Sequence, residues 1–424
     1  MGSQFHVIGA GMAGLAAAVD LALSGRKVTL YEAAGHAGGR ARSYFDTELG
    51  CRVDNGNHLL LSGNKAALAY IDRIGAADTL TGPGAPRFDF LDLTTDERWT
   101  LAPGPGLFPW WIFDAGRRVA GTVPADYLKL AAFLGAGEDD TVAALFDTKT
   151  PLFRRLLQPL VVAALNTEVE NASARLMGRI LRDTFGRGGA AIHPLVPAIG
   201  LSETLVDPAL STLAQAGATI RLGSCLRRID FEEEYVARLH FDETVIELAR
   251  DDEVILAVPV PVALRLLPGL TAPVEYRAII NAHYRLDQPI EGPPFIGLVG
   301  GVAEWVFRKP GILSVTISAA DPLIDRSAEE LAARIWEDVR WAYGLADREM
   351  PPCRIVKEKR ATFAATPEQL PLRPPAETLW RNLSLAGDWT DTGLPSTIEG
   401  AIRSGNEAAR TSIGRISQGR GGRL

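Results

Sequence analysis

Cysteine is scarce. Cys51, Cys225 and Cys353 are the only three in 424 residues; they lie far apart with no CxxC or Cys/His cluster, so neither a disulfide framework nor a zinc site is indicated and no metal is expected. A reducing, cytoplasmic setting fits that usage. Long apolar runs are missing too. No window of 18 or more purely apolar residues occurs, which argues against a membrane-spanning helix, and the opening "MGSQFHVIGAGMAGLAAAVDLAL" lacks the basic region of a signal peptide and carries Asp20. Peripheral attachment to the inner face of a membrane is compatible with both absences. A basic footprint is the third lack: the net charge is -7 with charges of both signs interspersed, so no nucleic-acid partner is expected. What the chain does have is bulk, since 47% hydrophobic residues can fill large cores in about two or three domains.

The first forty residues have a specific grammar. "FHVI" reads as a strand, "GAGMAG" as a turn, "MAGLAAAVDLALS" as a helix closed by Gly25, and "KVTLYE" as a second strand. That context turns a lone GxGxxG into a dinucleotide fingerprint. Gly9 permits the tight turn, Gly11 lets the backbone approach a pyrophosphate, and Gly14 lets helix and strand pack closely. The N–H groups around Met12 and Ala13 then face the phosphate. Glu32, at the end of the second strand with Ala33 behind it, is placed to accept from a ribose hydroxyl, which favours FAD or NAD over NADP.

FAD rather than NAD follows from a second glycine cluster. "AAGHAGGRARS" supplies Gly38, Gly39 and the cation Arg40, able to reach the pyrophosphate. Near the other end, "LSLAGDWTDTGLPSTIEGAIRSGNEAA" reads as strand, Gly387-Asp388 turn and helix, with Ser396 and Glu399 spaced as a capping box. The helix start at Ser396, Thr397 and Ile398 would direct partial positive charge at a flavin, and Asp388 is placed for ribityl or phosphate-side hydroxyls. Between these lies "VDNGNHLLLSGN" (53–64), too polar for a core strand and too apolar for a surface loop.

GxGxxG, GGR and AGD…EGA…SG together resemble the flavin amine oxidase and phytoene desaturase superfamily. The resemblance implies an α/β (α+β overall) architecture: a discontinuous Rossmann-type FAD domain (1–80, 202–268, 355–424) interleaved with a substrate domain of mixed sheet plus helices (81–201, 269–354). It also places adenine against the backbone at Leu226 and the isoalloxazine along Gly56, Asn57 and His58. Thr397 and Asn281 stand where amine oxidases usually carry an aromatic residue and a lysine, and no cysteine is in register for a covalent bond, so FAD is expected to be non-covalent.

Within that superfamily the blocks "GGRARSY", "VDNGNHLLLSGN", "PLVVAALNTEVENASARLMGRILRD", "HPLVPAIGLSETLVDPA" and "GDWTDTGLPSTIEGAIRSG" closely resemble the FAD-dependent hydroxysqualene dehydroxylases of squalene and hopanoid biosynthesis. This resemblance implies an oxidoreductase that reduces an allylic C30 alcohol to squalene. A carotenoid-type desaturase, an amine oxidase, and a flavin-bearing isoprenoid-binding protein without turnover are the competing readings. The chemistry needs hydride, help for the leaving oxygen and an apolar tunnel. A protonated His58, or a water held by Asn55 and Asn57, could supply the proton; His58 could equally hold the flavin edge. Asp54 is read as orienting the loop. Asn166 is either a polar group of the substrate site or a helix terminator. Trp110, Trp111 or Trp305 could stabilise cationic character or simply pack. "PLFRRLLQPLVVAAL" is either a buried amphipathic helix or a membrane-dipping face. The electron donor, NAD(P)H or a separate reductase, has no second fingerprint.

Overall fold

The computed structural model describes residues 3–421, with side chains as far as 417. Strand Gln4–Ile8 is buried beyond its first residue, and the alanine-rich helix Met12–Leu23 returns along it with ten of its twelve residues buried. A Cβ on Gly14 would lie 1.8 Å from the Gly9 carbonyl oxygen, and Gly9 sits at φ +103°, so the turn requires glycine at both positions. Five parallel strands follow in the order 219–221, 27–31, 4–8, 253–256 and 383–385. Four widely separated parts of the chain thus build one sheet, and its carboxyl ends are where ligands of such sheets bind.

Helices cover one face of this sheet. Met12–Leu23 packs against Ile398–Gly421, with Lys65–Arg73 and Asp207–Gln215 alongside. The approach is close enough that a Cβ on Gly405 would meet the Ala13 carbonyl at 2.1 Å. The opposite face carries the antiparallel strands Leu226–Glu232, Tyr235–Phe241 and Val245–Glu247, together with helices 158–165, 174–183 and 260–266.

The expected capping box at Ser396 and Glu399 does not form. The helix starts at Ile398, so Thr397 is the capping residue and its hydroxyl accepts from the Gly400 N–H at 3.1 Å. Ser396 instead donates to Asp388. Glu399 turns away and accepts from the Ala66 and Ala67 N–H groups at 3.1 and 2.7 Å, capping a different helix, while pairing with Arg403. Glu399→Ala should strand these donors in a buried setting and cost about 2 kcal/mol. The check is a lower urea midpoint at unchanged slope.

A second sheet has seven strands in the order 353–363, 276–285, 312–317, 305–309, 295–299, 88–92 and 97–101. Strand Cys353–Phe363 pairs along Tyr276–Arg285, so the sequence boundary drawn at 355 falls inside a strand of this sheet. Period-two alternation explains its two faces. Leu313, Val315 and Ile317 pack on helix Ala328–Ala342, with Leu331, Ile335 and Val339 opposite. Ser314 and Thr316 point the other way, toward residues 53–64.

Candidate active site

The stretch 53–64 bridges the two sheets. Asp54 ends strand Cys51–Asp54 and is almost wholly buried. One of its oxygens accepts from the Ser43 hydroxyl at 2.6 Å and the Leu201 N–H at 2.9 Å, and the other meets Lys309 Nζ at 2.5 Å. The structural role read for Asp54 is thus carried by contacts from three separate segments. Asn55 donates to the Arg40 carbonyl at 3.3 Å. Asn57 donates to Ser314 Oγ at 2.8 Å and Thr316 Oγ1 at 3.0 Å. The amides at 55 and 57 therefore tie the loop down; both Asn57 N–H groups are engaged there, while Asn55 keeps a second N–H.

Ser314 Oγ accepts from Asn57 and lies 2.7 Å from His283 Nδ1, a contact in which either group donates according to the imidazole tautomer. Thr316 donates to Asn281 Oδ1 at 2.7 Å, and Asn281 Nδ2 donates to the Asn55 carbonyl at 3.3 Å. Asn57 Oδ1 is buried and has no partner among the described residues. An acceptor in that state beside the loop is suited to a donor from a bound molecule.

Burial pushes the His58 imidazole down to about 4, against the pull of Asp54 and with the cations Lys309 and Arg40 adding to the effect. Protein packed around the ring disfavours the charged form, which favours His58 as a neutral imidazole holding the site over His58 as a protonated donor. Burial holds His283 at about 4 as well, with Lys309 nearby acting in the same direction.

Gly11, Gly38, Gly39 and Arg40 come together on the nucleotide side. Gly38 N–H donates to the Ala10 carbonyl at 2.8 Å, and Gly11 bridges Gly38 in parallel. Gly11 caps the helix Met12–Leu23 without any side-chain acceptor, and a Cβ on Gly11 would meet nothing within 4 Å. Open space before uncapped helical N–H groups is the cradle a pyrophosphate requires, so the residues present fit a dinucleotide flavin. Glu32 does more than expected, accepting from the Ala10 and Ala34 N–H groups at 2.8 and 2.9 Å and so tying both glycine turns to the strand end. The backbone at 223–224 donates to the Ala34 and Glu32 carbonyls, which brings Leu226 to the same corner.

Arg40 pairs with Asp388 at 2.6 Å. Burial pushes the Asp388 carboxyl up, but the Arg40 charge and the Ser396 hydroxyl outweigh it and leave the group below the usual carboxylate range. Gly387 N–H donates to Ser404 on the C-terminal helix. Arg40 therefore joins the 55–58 loop, through its carbonyl and Asn55, to Asp388 and Ser396, through its guanidinium.

The remaining wall is aromatic. Trp305 and Phe307 stand opposite Thr316 and Ser314 in register, hence on the same face, and join Phe88, Phe90, Trp99 and Phe295. Leu59 and Leu61 pack against them. Trp305 is thus part of this wall, Trp111 packs edge-on against Tyr127 at 5.3 Å, and Trp110 lies outside on the surface. Asn166 resolves as the helix terminator: it caps Gln158–Leu165 at φ 48°, donates to Thr362 and the Arg277 carbonyl, and accepts from Ala319 N–H. All its groups are engaged, so it is not a polar group of the substrate site. Within 151–165 Phe153, Leu157, Val161 and Leu165 are buried while Arg154 and Gln158 are exposed, which favours the buried amphipathic helix over the membrane-dipping face.

Lys309, His283, Ser314 and Thr316 were not picked out from the sequence. A signal was present: in "YRAIINAHYR" and "ILSVTI" polar residues recur two apart among apolar ones, which sets them on one sheet face.

Residues 12–412 match the family described as flavin containing amine oxidoreductase. The chain is 49% identical over 413 residues to a hydroxysqualene dehydroxylase of Sinorhizobium fredii, covering 97% of this chain and 99% of that one. It is 49% identical over 410 residues to the hydroxysqualene dehydroxylase of Rhodopseudomonas palustris, covering 96% and 98%. Cyclohexylamine oxidase from Brevibacterium oxydans shares the fold at a TM-score of 0.73 and 15% identity, over 99% of this chain and all of that one. The chain belongs to the flavin containing amine oxidoreductase family and, within it, to the hydroxysqualene dehydroxylases.

Proposed function

We propose that this protein is an FAD-dependent oxidoreductase that reduces hydroxysqualene to squalene. The observation that carries this is near-half identity along the whole chain to hydroxysqualene dehydroxylases, which favours it over the desaturase and amine oxidase readings. In the balance a C–O bond breaks, a C–H bond forms, and the oxygen departs as water after gaining one proton. A reduced flavin supplies the hydride and its two electrons.

The chain's own residues supply placement. Gly9, Gly11, Met12, Ala13, Gly14, Gly38, Gly39 and Arg40 would hold the diphosphate side, Glu32, Ala33 and Leu226 the adenosine side, and Gly56, Asn57, His58, Gly387, Asp388, Ser396, Thr397 and Ile398 the flavin side. Attachment is non-covalent in this reading: Cys353 packs on the opposite sheet face beside Tyr284 and helix Ala328–Ala342, and Cys51 packs against a small cluster formed by Leu49, Val53 and Ile312. The aromatic wall with Leu59 and Leu61 excludes water and takes the apolar arms of the substrate. His58, being neutral, orients the hydroxyl by hydrogen bonding, and the proton comes from water admitted beside it. The division into FAD-binding and substrate-binding segments follows the two sheets, with the last nucleotide segment beginning after Phe363. An external reductant, a nicotinamide nucleotide or a reductase, and contact with a bilayer that stores the substrate complete the proposal.

Anaerobic protein reduced with dithionite and mixed with hydroxysqualene should show flavin reoxidation matched by squalene. Recovery of unchanged alcohol would sink the proposal; peroxide release with amines or new conjugated double bonds in a polyene would favour the alternatives. The neutral state of His58 has its own check. The reoxidation rate should show no step near pH 6.5, and a step there that vanishes in His58→Ala would restore the imidazolium.

A further inference from the structure

The turn Trp110–Phe113 has two sides. Its inner side, Trp111 and Ile112, joins the aromatic wall of the candidate site. Its outer side does not pack: Leu107, Phe108, Trp110 and Phe113 are each more than half exposed, Trp110 at 71%. The outer rings cluster among themselves, with centroids 4.3 Å apart for Phe108 and Trp110 and 6.1 Å for Trp110 and Phe113. Leu128 and Leu134, on the neighbouring short helices, are equally bare. Contiguous exposure of this kind marks a contact surface rather than ordinary scatter.

Two further observations identify what it touches. The first is continuity with the interior. Gly189 N–H donates to the Gly104 carbonyl at 3.0 Å on one side of the 188–191 turn, and Ser62 Oγ and Gly63 N–H donate to the Ala190 and Ala191 carbonyls at 2.7 Å on the other. The bare aromatics are thus fastened to the same turn as the end of the 53–64 stretch, at the rim of the apolar wall. The second is charge. Immediately after Phe113, Ala115, Gly116 and Arg118 form one side of a cleft of about 510 Å³ whose other side carries Arg87 and Arg98. Its single carboxylate, Asp89, is already engaged by Arg87 at 2.8 Å and Thr100 at 2.6 Å. Arg98 donates to the Ala342 carbonyl and Arg118 to the Ile112 and Thr122 carbonyls, so these two guanidiniums have no carboxylate partner among the described residues, which favours an anion in a chain whose net charge is -7.

We propose that the 107–113 surface, with Leu128 and Leu134, inserts into the interface of an anionic phospholipid bilayer, and that the Arg87, Arg98 and Arg118 cleft receives a lipid phosphate headgroup. Trp and Phe at the headgroup level beside arginines match the interfacial preference of those side chains. The turn then carries an apolar substrate from lipid to the wall over its own inner face. This use of the surface rests on the isoprenoid reading of the site, whereas the docking itself rests on the patch and cleft.

Flotation with phosphatidylglycerol vesicles and with phosphatidylcholine vesicles tests it on the full chain. The wild type should float with the anionic vesicles, with tryptophan emission quenched by brominated acyl chains. Phe108→Ser/Trp110→Ser/Phe113→Ser should lose at least tenfold in binding, and Arg87→Gln/Arg98→Gln should lose the preference for anionic lipid; unchanged thermal unfolding shows that the variants are folded. Wild type that fails to float, or an aromatic triple variant that floats like wild type, overturns the proposal. Turnover of detergent-dispersed hydroxysqualene should be retained by the triple variant. Absence of that turnover in the wild type would count against the functional reading and leave the flotation result standing.

Discussion

Lys309→Met should destabilise the protein by about 3–5 kcal/mol, the usual cost of leaving one partner of a buried pair uncompensated. Lys309 and Asp54 are both largely buried, at 15% and 3% side-chain exposure, 2.5 Å apart. Water cannot replace the lost cation at Asp54, whose remaining contacts are Ser43 and the Leu201 N–H. The pair also couples the 53–64 loop to the seven-stranded sheet, so reoxidation by substrate should slow together with the fall in stability. Asp54→Asn in the same chain removes the orphaned charge while keeping an oxygen for Ser43 and Leu201. The double variant should therefore be more stable than Lys309→Met alone. Urea unfolding of wild type, single and double variants closes the cycle, and a single variant as stable as wild type would refute the role given to this pair.

Acid should weaken the fold before its carboxylates titrate in bulk. Burial lowers His6 and His283 to about 4 in the folded chain, against 6.5 when unfolded. Between those values the unfolded chain binds more protons, so the contribution is present above pH 6.5 and is lost as pH falls toward 4. Its size is on the order of 3 kcal/mol for each ring. His58, lowered to about 4 by burial, acts in the same direction. Glu253 and Glu304, raised to about 7 by burial, act in the opposite sense and favour the fold at lower pH, so the net slope alone does not isolate the histidines. The discriminating quantity is the gap between wild type and His283→Asn, which should narrow as pH falls from 7 to 4.5. A gap constant over that range would show that folding does not lower the His283 pKa.

The nucleotide half was legible in the chain because its requirements are local. A strand, a turn that only glycine can make at Gly9 and Gly14, a helix and an acidic residue at the next strand end lie within the first forty residues. Backbone sterics dictate such a pattern wherever it occurs. The family was legible for a related reason, since long blocks around Arg40, His58 and Asp388 keep their residue types together. The failures have one cause. Ser396 and Glu399 have the spacing of a capping box, but spacing does not say where a helix begins, and a start at Ile398 passed the cap to Thr397 and freed Glu399 to serve Ala66 and Ala67.

Tertiary structure alone decided what surrounds the 53–64 stretch. Asn57 meets Ser314 and Thr316, more than 250 residues away in the chain, and Asp54 meets Lys309 from a strand of the other sheet. Local propensity cannot specify those partners, because they depend on how two sheets are brought together. The charge state of His58 was decided in the same way. An imidazole in an open loop would titrate near 6.5, and it is the protein packed around this ring that makes the charged form unfavourable. Composition likewise marked Trp110 and Phe113 as apolar, while only the folded chain shows that they face outward, since burial depends on which side of a turn has a neighbour.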